Sequence, residues 1–241
     1  MKTIVCKTYE EMSARAAAII ADVMKADPAC VLGLATGSTP VGTYKKLIEM
    51  NKAGEIDFSK VTTVNLDEYY PISPDNDQSY RYFMNENLFN HVNIDKAKTY
   101  VPDGMATDPA AACEAYEALV AKVGPADIQV LGIGQNGHIG FNEPAEALEV
   151  ATHVTGLTES TIKANARFFA SEADVPTKAL TMGIGTILSA KKIIILANGA
   201  AKAQAVAKML CGKLDTSCPA SMLNLHADVT VICDEAAMNA I

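Results

Sequence analysis

The chain has 241 residues, 49% of them hydrophobic, and a formal net charge of -8. That suits one large α/β domain, or a domain with an appended lobe, stabilised by ordinary core burial without disulfides. The acidic balance argues against a nucleic-acid surface, although a small anionic substrate responds to local charge and backbone donors and is not excluded. The longest apolar runs are too short to span a bilayer, and Met1–Lys7 lacks the apolar core of a signal peptide, so a cytoplasmic chain that does not enter a membrane is expected.

In chain order, Lys2–Cys6 reads as a strand. Thr8, with Glu11 three residues later, forms a capping box that opens a helix to about Ala26, stopped by Asp27-Pro28. Cys30–Leu34 is a short apolar strand. Pro40 to Met50 is a helix with proline near its first turn. Val61–Leu66 is a strand ending in Asp67-Glu68. Asp75 to Asn90 is polar, aromatic-rich and part helical. Asp108 to Val123 is an alanine-rich helix ended by Gly124-Pro125. Asp127–Ile133 is a buried strand. Leu180–Gly183, Ile193–Ala197 and Val229–Cys233 read as further strands, and Ala200–Leu210 as a helix between the last two. The alternation predicts one α/β unit over 1–241, with a mostly parallel sheet and helices on both faces.

Six cysteines, at positions 6, 30, 113, 211, 218 and 233, show neither a Cys-x-x-Cys pair nor zinc spacing. They read as reduced, structural thiols, and no metal is expected. Cys218 stands apart, because Ser217-Cys218-Pro219 has the character of a loop.

Leu131 to Pro144 holds Gln135, Asn136, His138, Asn142 and Glu143 among four glycines, just past the end of a strand. Glycine lets backbone approach a ligand closely, and open α/β sheets bind ligands outside the carboxyl ends of their strands. Asp67 and Glu68 emerge at a second such edge, and as adjacent residues they point in different directions. Thr36-Gly37-Ser38-Thr39 lies between a strand and a helix. Its hydroxyls, glycine and free helix-start amides suit a single phosphate, and it is neither a Walker loop nor a dinucleotide fingerprint. Arg167 and Lys202 are cations available to such an anion.

Leu34–Pro40, Asn65–Tyr69, Leu131–Pro144 and Asn165–Phe169 together resemble the glucosamine-6-phosphate deaminase (isomerase) family, and the likeness runs through the whole chain in order. The resemblance implies a modified doubly wound fold. It also implies conversion of glucosamine 6-phosphate and water to fructose 6-phosphate and ammonia, without a cofactor. It assigns proton transfer to Asp67, ring opening to His138 with Glu143 in support, and phosphate binding to Thr36–Thr39, Arg167 and Lys202. Asn136 stands where many relatives carry Asp, so it can hold the histidine by hydrogen bonds without adding charge. The region of Glu146, His153 and Thr155 lacks the basic cluster of the allosteric members, and the chain stops at Ile241. No effector site is therefore expected, and the chain is expected to be a monomer or small homo-oligomer. A 6-phosphogluconolactonase-like hydrolase, whose histidine is followed by Thr-Ala-Ser-Leu-Phe-Pro rather than Ile-Gly-Phe-Asn-Glu-Pro, and a non-catalytic sugar-phosphate sensor are the alternatives.

Overall fold

The computed structural model describes residues 1–165, 169, 171 and 175–240. Its elements are β1 (Lys2–Cys6), α1 (Tyr9–Ala26), β2 (Val31–Leu34), α2 (Val41–Lys52), β3 (Thr62–Asn65), β4 (Asp67–Tyr70), α3 (Tyr80–Asn87), β5 (Thr99–Tyr100), α4 (Pro109–Val123), β6 (Ile128–Gly132), β7 (His153–Gly156), α5 (Glu159–Asn165), β8 (Lys178–Thr181), α6 (Ile184–Leu188), β9 (Ile193–Ala197), α7 (Ala203–Leu210) and β10 (Val229–Asp234). Short 3₁₀ turns include Ala200–Lys202 and Pro219–Leu225.

Local sequence explains most of the boundaries. Thr8 Oγ1 accepts from the Glu11 N–H at 3.2 Å, while Glu11 Oε2 reaches back to the Lys7 N–H at 2.8 Å. The reciprocal bond thus lands one residue earlier than a standard capping box places it. Asp108 caps α4 by accepting from the N–H groups of Ala110 and Ala111, with Pro109 in the first turn. The predicted helix Ala200–Leu210 starts as a 3₁₀ turn and becomes α-helical only at Ala203.

The main sheet has seven strands in the order β1-β10-β9-β6-β2-β3-β5, and every pair is parallel. Its central strands are covered on both faces and so read as aliphatic runs rather than alternations. Each of the five residues of β9 is buried, as are all four of β2. Fully burying one such aliphatic side chain contributes about 1.5–3 kcal/mol. The fold is thus α/β and mostly parallel, flanked by helices, with α1 and α2 packed side by side.

Two strand assignments need correction. β8 runs over Lys178–Thr181 rather than Leu180–Gly183, and it does not join the main sheet. It is the middle strand of a separate antiparallel sheet, β4-β8-β7, in which Asp67 pairs with Thr181 and Thr181 pairs with His153. Asp67 therefore opens a new strand instead of closing the previous one. The chain leaves the main sheet at Leu66, whose carbonyl still accepts from the Met182 N–H at 2.8 Å.

Candidate active site

Going outward from the sheet centre, β2, β3 and β5 build one arm and β6, β9 and β10 most of the other. The order reverses between β2 and β6, and a crevice at such a reversal is the usual ligand site of this architecture. A cleft of about 640 Å³ lies there, lined by Thr36, Gly37, Ser38, Thr39, Asp67, Asn136, His138 and Lys202, among others. Eight of the ten predicted site residues thus face one space. Glu143 sits behind His138, outside this lining. Arg167 lies outside the described residues.

The histidine end is built around Gly134. A Cβ placed there would come within 2.4 Å of the His138 ring, so the imidazole can lie this close to the backbone only over a glycine. His138 Nδ1 is buried and faces Glu143 Oε2 at 3.4 Å. That separation makes an electrostatic contact rather than a well-formed hydrogen bond. Asn136 joins the two: its Oδ1 accepts from the His138 N–H at 3.2 Å, and its Nδ2 donates to Glu143 Oε2 at 2.6 Å. The other Glu143 oxygen accepts from the hydroxyls of Thr161 and Thr158. Burial alone would raise the Glu143 carboxyl, but the nearby imidazole and the donors from Thr161 and Asn136 outweigh it and hold it at about 2. Glu143 is therefore a fixed anion facing an imidazole.

The second acid–base group has the opposite surroundings. Asp67 is buried and, among the described residues, accepts no hydrogen bond. Burial first, and then the neighbouring Glu68 carboxylate, push it up to about 8. Glu68 points the other way. Its carboxylate accepts from the backbone N–H groups of Tyr69, Tyr80 and Arg81 at 2.8–2.9 Å, and so holds the start of α3. Burial raises Glu68 too, against those three donors. Because, among the described residues, Glu68 alone of the two has donors for its negative charge, the proton that this pair retains belongs on Asp67.

At the far end, Gly37 adopts φ +92 within the turn from β2 to α2, a conformation that side-chain-bearing residues rarely take. Tyr9 Oη supports this turn from outside, donating towards the Ser38 and Thr39 carbonyls and accepting the Gly42 N–H at 2.8 Å. Thr39 Oγ1 donates to Asn198 Oδ1 at 2.9 Å. Its proton is therefore already committed within the protein, leaving Thr36, Ser38 and backbone amides to face an anion. Lys202 lines the same space.

Several lining residues were not singled out from sequence. Tyr80, from the polar aromatic stretch, stacks parallel to Phe141 with ring centroids 6.0 Å apart and tilts against Tyr69 at 4.7 Å. Thr161 faces the cleft as well as Glu143. The only sequence signal for it is the pair of hydroxyls, Thr158 and Thr161, one helical turn apart. Cys218 lies in a loop, as Ser217-Cys218-Pro219 suggested, yet it is 1% exposed, beneath Gly137, and burial pushes its thiol up. Cys211 is the exposed cysteine. Among the described residues, no group of His, Cys, Asp and Glu is placed to hold a metal ion.

Residues 7–232 match the model of a family described as glucosamine-6-phosphate isomerases/6-phosphogluconolactonase. The chain is 59% identical over 235 residues to a glucosamine-6-phosphate deaminase of Clostridium perfringens, covering 98% of this chain and 97% of that relative. A glucosamine-6-phosphate deaminase of Thermoanaerobacter pseudethanolicus is 56% identical over 241 residues, covering 100% of this chain and 95% of its own. Among solved structures, a monomeric glucosamine-6-phosphate deaminase superposes with a TM-score of 0.98 at 50% identity over 100% of both chains. A 6-phosphogluconolactonase from Trypanosoma brucei superposes with a TM-score of 0.77 at 21% identity, covering 98% of this chain and 97% of its own, a likeness of fold alone.

Proposed function

Since the chain belongs to the family of glucosamine-6-phosphate isomerases and 6-phosphogluconolactonases, we infer that it is an enzyme converting glucosamine 6-phosphate and water to fructose 6-phosphate and ammonia. One observation carries this reading over the lactonase one. The cleft brings together two separate acid–base groups, an imidazole on a fixed carboxylate and a buried Asp67 that accepts no hydrogen bond among the described residues. Hydrolysing a lactone needs a base for one water. Turning an aldose amine into a ketose needs one group to open the ring and another to carry a proton between two carbons.

The steps follow from the residues. The substrate phosphate docks on the Thr36–Thr39 turn and Lys202, with Arg167 as a further cation. With Nδ1–H directed at Glu143, His138 keeps Nε2 as an acceptor and moves the proton between O1 and O5 that opens the pyranose. Asn136 supports the imidazole in place of the charge that an aspartate would supply. Asp67 takes the proton from C2 and returns it to C1. Water then adds to the resulting C2 imine, and ammonia leaves. A base held near its working pH suits this transfer, and each general acid–base step is worth about 10²–10⁴-fold. Residues 1–241 act as one domain in this scheme, and no cofactor is invoked.

The test is ammonia release from glucosamine 6-phosphate, run beside hydrolysis of 6-phosphogluconolactone. Lactone turnover without ammonia would favour the alternative enzyme, and binding without turnover a sensor. The cytoplasm is the compartment we propose, and no described helix is long and apolar enough to cross a membrane. A monomer or small homo-oligomer is the proposed state. Residues 144–157, which include Glu146, His153 and Thr155, contain no Lys or Arg. Rate against substrate should accordingly be hyperbolic, and a sigmoidal curve relieved by N-acetylglucosamine 6-phosphate would contradict the absence of an effector site.

Lys202→Ala should raise KM by about tenfold or more with kcat changed far less, as expected for losing one charged hydrogen bond worth about 1.5–3 kcal/mol in ground and transition states alike. Initial rates across substrate concentration measure this. An unchanged KM would remove Lys202 from the phosphate site.

A further inference from the structure

The two turns at the phosphate end belong to strands that do not touch. The Thr36–Thr39 turn follows β2, Asn198–Lys202 follows β9, and β6 lies between those strands. β6 pairs with both and ties the strands together, but the turns lie beyond these ladders and are not joined to each other by direct strand pairing. A side-chain bond spans the gap between them: Thr39 Oγ1 donates to Asn198 Oδ1 at 2.9 Å, across 159 positions of sequence.

The Asn198 turn is itself held from behind. Asp234, at the end of β10, accepts the Gly199 N–H with both carboxylate oxygens, at 3.0 and 2.9 Å, and the Ala237 N–H at 2.8 Å. Charge-assisted bonds of this kind are the stronger ones. The Gly199 carbonyl in turn accepts the Lys202 N–H at 3.0 Å. One connected series of bonds thus runs from Asp234 through Gly199 to Lys202 on one side, and through Asn198 to Thr39 on the other.

We propose that Asn198 is a positioning residue for the substrate phosphate, setting the distance between the hydroxyl turn and the lysine turn, with Asp234 anchoring it. The inference rests on reading these turns as the phosphate site. A phosphate clasped from two sides gains from each donor only when both stand at hydrogen-bond distance together. A misplacement of about 1 Å is enough to cost binding or rate.

The experiment compares Asn198→Ala, Thr39→Val, their double variant, Thr39→Ser, Asp234→Asn and Lys202→Ala in the full chain. KM for glucosamine 6-phosphate, kcat, inhibition by inorganic phosphate and Tm are measured for each. Asn198→Ala and Thr39→Val should each raise KM, and the inhibition constant for inorganic phosphate in parallel, by about tenfold, with kcat within about threefold. The double variant should be no worse than either single one, because both remove the same bond. Thr39→Ser keeps the hydroxyl and should stay near the unmodified enzyme. Asp234→Asn should move KM in the same direction. A lowered Tm with KM and phosphate inhibition unchanged in Asn198→Ala would make the bond merely structural and overturn the proposal. If Lys202→Ala raises KM while Asn198→Ala does not, the inference falls and the phosphate site stands. If Lys202→Ala also leaves KM unchanged, the phosphate site falls and the inference with it.

Discussion

Asp67→Asn should lower kcat by about 10²–10⁴-fold with KM little altered, because it deletes a proton carrier and leaves the phosphate end intact. The same substitution should stabilise the fold. Asp67 is buried and, among the described residues, accepts no hydrogen bond, so its surroundings favour the uncharged form and its pKa rises from 3.8 to about 8. A carboxyl whose folded value is raised adds stability that is complete below its unfolded value and is lost as pH rises through its folded value. The asparagine amide would imitate the protonated form at every pH. Its advantage should therefore grow from about pH 4 to about pH 8 and level off above. An effect of even about 1 kcal/mol would shift Tm by about 2–4 °C in a chain of this size. Thermal unfolding of both proteins across that range measures it. A constant difference across pH would mean that Asp67 is not held protonated. Turnover of the variant at the unmodified rate would pass the proton to Glu68 or another group. Glu68 is the weaker candidate, because its oxygens are already engaged by three backbone N–H groups.

The contrast between these neighbouring carboxylates shows what the sequence could and could not reveal. That adjacent residues at a strand end diverge follows from backbone geometry, and it predicts that one of the two leaves the pocket. Which one leaves is decided by α3, whose first N–H groups bind Glu68 and which begins ten or more residues later. The parallel sheet was legible because its strands are buried on both faces and so form uninterrupted aliphatic runs, as in Ile193–Ala197. The small antiparallel sheet was not, because β4 and β7 read Asp-Glu-Tyr-Tyr and His-Val-Thr-Gly and carry no such run. Their pairing is made by tertiary contacts with β8. The Thr36–Thr39 turn and the Gly134–Glu143 loop were legible as local clusters of chemistry. Thr39 and Asn198 were not legible as partners, since neither residue carries a mark of a contact 159 positions away. The burial of Cys218 was not legible for a related reason: Ser-Cys-Pro reads as a loop, which it is, and packing beneath Gly137 buries the thiol within it.

His138→Gln should be slow on the cyclic sugar, by about 10²-fold or more as expected for losing a general acid–base group. It should lose much less on an open-chain analogue, which needs no ring cleavage. The geometry gives the reason for this split. His138 belongs with Glu143 and Asn136 in one hydrogen-bonded and charged unit, whereas Asp67 shares no hydrogen bond with it. Removing the imidazole thus leaves the proton carrier in its own buried setting. Glutamine keeps a polar side chain over Gly134 but cannot take up and return a proton near neutral pH. Isotope exchange separates the two roles directly. In deuterated water with ammonia present, His138→Gln should still exchange the C1 hydrogen of fructose 6-phosphate, because the open ketose bypasses part of the histidine's task. Asp67→Asn should not exchange it. Equal loss of exchange in both variants would mean that histidine and aspartate act on the same proton. Ring opening and proton transfer could then no longer be divided between the two ends of the cleft.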